Sequence, residues 1–166
     1  YLAVLLAKSG CDVVICDVNE DTLAGTASML KSYNVAVSSH LLDVGDEEAI
    51  KALPEKVIAQ HGKVDLVFNN AGITIDSDFA NMPEPDWDKV MDVNLHGVIN
   101  MTRAFLPYLK DRPEAAVVNT SSIFGMIAVP RQSVYHATKF AVRGFTESLV
   151  KEMKGTSEQV HSGLPG

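Results

Sequence analysis

The amino-acid sequence predicts an α/β protein built on a doubly wound, mostly parallel sheet. Three observations carry that expectation. Short β-branched runs alternate with segments of helical periodicity along the chain. The runs are rich in apolar residues, as strands covered on both faces are. At 166 residues the chain is long enough for one domain with a sizeable core and short for two.

The elements follow in order. A helix is expected over about 1–9, ended by Gly10, a good C-cap residue. "CDVVICDV" reads as a buried strand. A helix over about 20–33 sets Leu23, Ala27 and Leu30 on one face. "VAVSSHLLDV" is a second strand. "GDEEAIKALPEKVIAQHG" is a helix whose leading acids suit the macrodipole and which Pro54 interrupts or kinks. "KVDLVFNNAG" is a third strand running into a turn. Pro83, Glu84 and Pro85 read as loop. A long helical zone covers about 86–111, with Trp87, Val90, Met91 and Leu95 expected inside. "AAVVNTSS" is a fourth strand, a helix spans about 132–153, and "EQVHSGL" is a candidate fifth strand. The chain opens in mid-helix and closes on "SGLPG", so it reads as a single domain cut at both ends.

Composition excludes several classes. Hydrophobic residues make up 46% and charged residues 21%, as in soluble globular proteins. The net charge of −7, without a basic run, argues against nucleic acid or an anionic membrane as partner. No apolar run approaches the roughly 20 residues that span a bilayer. Cys11 and Cys16 lack metal-ligand spacing and fit a reducing, cytoplasmic setting. The sequons at Asn100 and Asn119 fall in apolar periodic segments and read as chance matches.

Ligands of such sheets bind beyond the carboxyl ends of the strands. Asp17 ends the first strand. An acid there hydrogen-bonds adenosine ribose hydroxyls and repels a 2′-phosphate, favouring NAD over NADP. Equally, it is an N-cap or loop aspartate before "NEDTL". Asp43 ends the second strand, as an acceptor for an adenine amino group or a cap on the next helix. "NNAG" at 69–72 ends the third. Its small residues let a flat ligand approach the backbone, unless it is only a turn with a left-handed Asn. Ser122 follows the fourth strand and stands thirteen residues before Tyr135.

Tyr135 and Lys139, four apart on a helix, share one face. A free phenol titrates near about 10 and is a reluctant acid or base at neutral pH. A lysine cation one turn away favours the phenolate, more so where water is excluded. Such a tyrosine serves as a general acid–base, with Ser122 donating to a substrate oxygen and Lys139 reaching ribose hydroxyls. Alone, the pair reads as an ordinary surface pair. Together with Ser122, "NNAG" and the α/β alternation it reads as a site for proton transfer coupled to hydride transfer at a carbonyl or alcohol carbon.

"NNAG" at 69–72, "VNLHG" at 93–97, Ser122 with "YHATK" at 135–139, and "PG" at 165–166 resemble the short-chain dehydrogenase/reductase family of single-domain type. The resemblance covers essentially the whole chain and implies a Rossmann-like fold. It implies Asn94, Ser122, Tyr135 and Lys139 as a catalytic tetrad, Asn94 helping to hold a water that links Lys139 to solvent. From the residues alone, Asn94 is a polar residue in a long helix. The resemblance further implies Asp17 as the acid favouring NAD, Asp43 and Val44 as the adenine-pocket pair, and Asn70, Ala71 and Gly72 as cofactor-lining, with Asn69 structural. The implied cofactor is NAD, with NADP second. The implied partner is a small alcohol or carbonyl compound, and the implied whole protein is a homodimer or homotetramer. The family's glycine-rich phosphate loop and its first, central strand are absent, as is the region beyond "PG". The isolated chain is therefore expected to bind a dinucleotide weakly at best. Residues after "NNAG" (Ile73, Thr74, Ile75) and around Phe124 to Val129 are expected to border the substrate, and they are mostly apolar.

Two other readings compete. One is a catalytically silent nucleotide-binding or interaction protein on the same scaffold, which has no need of the whole tetrad. The other is a methyltransferase, which has no use for Ser122, Tyr135 and Lys139 in this arrangement.

Overall fold

The computed structural model describes residues 1–110, 112–153 and 158–163. The "PG" at 165–166 lies outside them. The described residues form two compact units, Tyr1–Asp43 with Glu55–Lys63, and Val44–Pro54 with Val64–Gly166.

The first unit holds α1 (Leu2–Lys8), β1 (Val13–Asp17), α2 (Glu20–Leu30) and β2 (Val37–Leu41). Gly10 follows α1 at φ +84°, a conformation that suits glycine. Asn19 starts α2, its side chain accepting from the Thr22 N–H at 2.9 Å. β1 and β2 pair in parallel, Val13 beside Val37 through Asp17 beside Leu41. Ala7, Val13 and Leu30 are buried together, flanked by Val4, Leu6, Ile15, Tyr33 and Val37. The expected α2 face is partly right: Leu23 and Leu30 are buried, Ala27 half-buried.

α3 (Glu47–His61) has its first half in the second unit and its second half in the first. It runs through Pro54 without interruption, forgoing one intrahelical N–H donor. Asp46 caps it, accepting from the N–H groups of Glu48 and Ala49, both at 3.0 Å. The capping role weighed for Asp43 thus belongs to a residue three positions on.

The second unit is a parallel three-stranded sheet in the order β3 (Leu66–Asn69), β4 (Ala115–Thr120), β5 (Glu158–Gly163). The candidate fifth strand is real. The expected long helix is three pieces: α4 (Glu84–Met91), one turn of π-helix (Asp92–His96) and α5 (Gly97–Leu109). α4 starts earlier than expected, because Pro83 and Pro85 initiate it rather than forming loop. Of its expected buried residues only Val90 is fully buried; Trp87, Met91 and Leu95 are half-buried. α5 packs on β3 and β4, and α6 (Ser133–Glu152) on β4 and β5.

Register lays Asn69 beside Asn119 on neighbouring strands. Asn69 Nδ2 donates to Asn119 Oδ1 at 2.8 Å and to Thr102 Oγ1 of α5 at 3.0 Å. Asn119 Nδ2 donates to Thr146 Oγ1 of α6 at 3.0 Å. This buried amide ladder ties both helices to the sheet. It leaves Asn119 fully enclosed, so its sequon is not an acceptor on the folded surface.

Candidate active site

The end of β4 and the start of α6 are locked together around Lys139. Ser121 Oγ donates to the Lys139 carbonyl at 3.1 Å, and Lys139 Nζ donates to the Thr120 carbonyl at 3.0 Å. Gly125 permits the close approach. A Cβ there would stand 2.6 Å from Ser121 Oγ and 3.0 Å from the Lys139 carbonyl oxygen. The side chain of Lys139 is 3% exposed, with no carboxylate partner among the described residues. Burial pushes its ammonium below the ordinary lysine range. Its Nζ lies 5.6 Å from the centre of the Tyr135 ring, one turn back on α6.

Ser122 is extended and half-buried, and starts the 3-10 turn Ile123–Gly125. Its Oγ accepts from the Phe124 N–H at 3.2 Å, which leaves the hydroxyl proton to donate elsewhere. The turn sets the Phe124 ring edge-on to Tyr135, with centroids 6.3 Å apart and planes at 90°.

Asn94 is fully buried in the π turn, a deformation often found at functional sites. Its Oδ1 accepts from the Ile73 N–H and its Nδ2 donates to the Ile73 carbonyl, both at 2.8 Å. Nδ2 also stands 3.3 Å from Thr138 Oγ1. The side chain therefore clamps the exit of "NNAG" to α6. At Gly72, Asn94 and Lys139 converge: a Cβ there would lie 3.4 Å from Asn94 Oδ1 and 3.5 Å from Lys139 Nζ.

Asn70, Ala71 and Gly72 are exposed just past β3, Asn70 Oδ1 accepting from Thr120 Oγ1 at 3.4 Å. Val44 packs on the π-turn side of this unit against Gly97, where a Cβ would stand 2.8 Å from the Val44 carbonyl oxygen. Asp17 and Asp43 belong to the first unit. Asp17 is exposed at the end of β1, accepting from the Asn19 N–H at 2.9 Å.

Sequence reasoning overlooked Gly97 and Gly125. Each lies within or beside a quoted motif, but only the close approach of Val44 or Lys139 shows why glycine is needed. It also overlooked His136, in the middle of "YHATK", whose ring is buried and bonded at both nitrogens.

The short chain dehydrogenase family model matches residues 1–166. The chain belongs to that family. Over 152 residues it is 42% identical to SadH of Mycobacterium tuberculosis, covering 92% of this chain and 55% of that protein. Over 162 residues it is 36% identical to the 3-oxoacyl-(acyl-carrier-protein) reductase FabG of Thermotoga maritima, covering 98% and 66%. The chain thus spans roughly half to two-thirds of these relatives' length. A short-chain dehydrogenase/reductase of Burkholderia phymatum solved with NAD superposes with a TM-score of 0.94 at 32% identity, over 98% of this chain and 59% of that one. A metagenomic short-chain oxidoreductase solved with NADP gives 0.93 at 27% identity, over 99% and 75%. The fold shared with these structures is Rossmann-like, here partial. None of the described helices is long and apolar enough to cross a membrane.

The chemistry of the described residues fits the ribose hydroxyls of a dinucleotide such as those two structures hold. Lys139 keeps two N–H donors beyond its one carbonyl bond, beside a glycine and an exposed stretch of backbone.

Proposed function

We propose that the chain carries the catalytic centre of an oxidoreductase that interconverts an alcohol and a carbonyl compound with NAD. The carrying observation is the buried Lys139 ammonium beside the Tyr135 ring, with no carboxylate partner among the described residues. When bound, the dinucleotide would take up or supply the hydride. Tyr135 would take the proton from the alcohol hydroxyl, or give it to the forming alkoxide. The Lys139 ammonium stabilises charge developing on the phenol oxygen and holds the ribose hydroxyls. The free Ser122 proton is donated to the substrate oxygen as negative charge grows there. Asn94 fixes Ile73, and with it the backbone of Asn70, Ala71 and Gly72 that would line the cofactor. A proton relay from Lys139 to solvent by way of a water near Asn94 belongs to the same proposal.

NAD rather than NADP rests on Asp17, whose exposed carboxylate would repel a 2′-phosphate. Asp43 and Val44 would receive the adenine. Ile123, Met126 and Ile127 are about half exposed beside Ser122, which favours a fairly apolar substrate. The whole protein would pair as a homodimer or homotetramer through α5 and α6, which expose Tyr108, Phe140 and Val150. Two unpaired cysteines suit a cytoplasmic setting.

The test is the whole protein with NAD or NADP and a panel of aliphatic and benzylic alcohols, read by NADH or NADPH absorbance. Tyr135→Phe is expected to lower turnover on the order of a hundredfold or more while NAD affinity stays within about twofold. Near-normal turnover in that variant would sink the acid–base role. Bound NAD without reduction of the cofactor by any alcohol would favour the silent nucleotide-binding protein.

A further inference from the structure

His136 follows Tyr135 in sequence, and both rings meet Phe124. Its side chain is 6% exposed and lies on the segment between β4 and α6. The ring bonds that segment at two points of opposite polarity. The Val129 N–H donates to Nε2 at 2.9 Å, and Nδ1 lies 2.9 Å from the Phe124 carbonyl. An N–H can donate only to a bare ring nitrogen, and a carbonyl can only accept. A neutral imidazole protonated at Nδ1 alone satisfies both. The ring also meets the Phe124 ring edge-on, with centroids 5.0 Å apart. Phe124 in turn abuts Tyr135 and donates its N–H to Ser122 Oγ.

We propose that His136 is a positioning residue that acts through Phe124 to fix Ser122 and the apolar 123–129 segment against Tyr135. This role rests on the oxidoreductase reading above. The two hydrogen bonds span the six residues 124–129, so one ring replaces the loop's own rigidity. Ser122 lies two residues outside the clamp, and the Tyr135 ring lies against Phe124 within it. Loss of either bond lets the turn move relative to the phenol, and misplacement of about 1 Å is enough to cost a large factor in rate. Phenylalanine keeps the ring's bulk and loses both bonds. Glutamine has an amide that donates and accepts, so it can keep both.

The experiment uses the whole protein with its histidines labelled with nitrogen-15, and the variants His136→Phe and His136→Gln. The wild type is expected to show His136 as the Nδ1–H tautomer with Nε2 bare, and a Val129 amide protected from hydrogen exchange. His136→Phe should lose that protection and lower kcat about tenfold or more at unchanged NAD affinity, and His136→Gln should recover most of both. An Nε2–H tautomer, a Val129 amide equally protected in all three proteins, or wild-type kcat in His136→Phe would overturn the proposal. If the wild type oxidises no alcohol in the panel, the oxidoreductase reading falls, whereas the clamp stands or falls on the tautomer and the Val129 exchange.

Discussion

Two helices carry a lysine four residues after a partner, and the pairs have nothing else in common. On α3, Lys51 lies 2.9 Å from Glu47 and 2.8 Å from Glu48, with its side chain 56% exposed. On α6, Lys139 follows Tyr135 and is buried with one carbonyl acceptor. The shifts run oppositely. Hydrogen bonds donated to Glu48 and Glu47 raise Lys51, and burial lowers Lys139. Spacing makes neighbours of residues four apart, but burial decides whether a charge is dispersed into water or held against its neighbour.

The sharpest way to break that contrast is Lys139→Met. It removes the ammonium from a site that holds it at a cost, and keeps most of the side-chain volume. In the whole protein, turnover is expected to fall on the order of a hundredfold or more, with weaker NAD binding. Stability should move the other way, with Tm rising by about 2–4 °C. The pH dependence checks the cause. A lysine lowered in the folded state binds fewer protons there than in the unfolded chain. Its stability contribution is complete above the ordinary lysine value of 10.5 and is lost as pH falls through the lowered folded value. Denaturant titrations of the wild type should show that rise toward alkaline pH, and Lys139→Met should lack it. A variant no more stable than wild type, with the same alkaline rise, would mean that Lys139 carries no desolvation cost.

Next in size is a pair of glycines that tests how tightly the start of α6 is held. Gly125→Ala would thrust a methyl to 2.6 Å from Ser121 Oγ, beside the Lys139 carbonyl. It should destabilise by about 1–3 kcal/mol and lower turnover through Ser122 and Lys139. Gly144→Ala, further along α6, meets nothing within 4 Å and should stabilise by about 0.5–1 kcal/mol without touching turnover. Thermal unfolding with a turnover assay compares the two. Equal effects would show that the two halves of α6 are held alike.

The sequence made the strand ends and the helical pair legible because their signals are local. β-branched runs mark strands, and "NNAG" and "YHATK" are contiguous. The π turn was not legible, because Asp92–His96 has ordinary helical periodicity and the bonds of its Asn94 go to Ile73, a residue no local pattern pairs with it. Gly97, Gly125 and His136 escaped for the same reason: the decisive partner lies elsewhere in the sequence, Val44 for Gly97, Lys139 for Gly125, and Val129 and Phe124 for His136. Asp43 and Asp46 show the converse. Two aspartates three apart offer the same cap to the same helix, and only the bonds to Glu48 and Ala49 assign it to Asp46.

The smallest effect is expected on α3. Lys51→Ala deletes two ion pairs to Glu47 and Glu48, both at the surface, where solvent and salt already weaken them. Turnover and NAD affinity should match the wild type, and Tm should stay within the error of the scan at high salt. A small loss confined to low salt agrees with the contrast, since it marks a screened pair. A loss of turnover approaching that of Lys139→Met would reverse it. Spacing on a helix would then matter more than burial, and Tyr135 and Lys139 would lose their distinction from any exposed pair one turn apart.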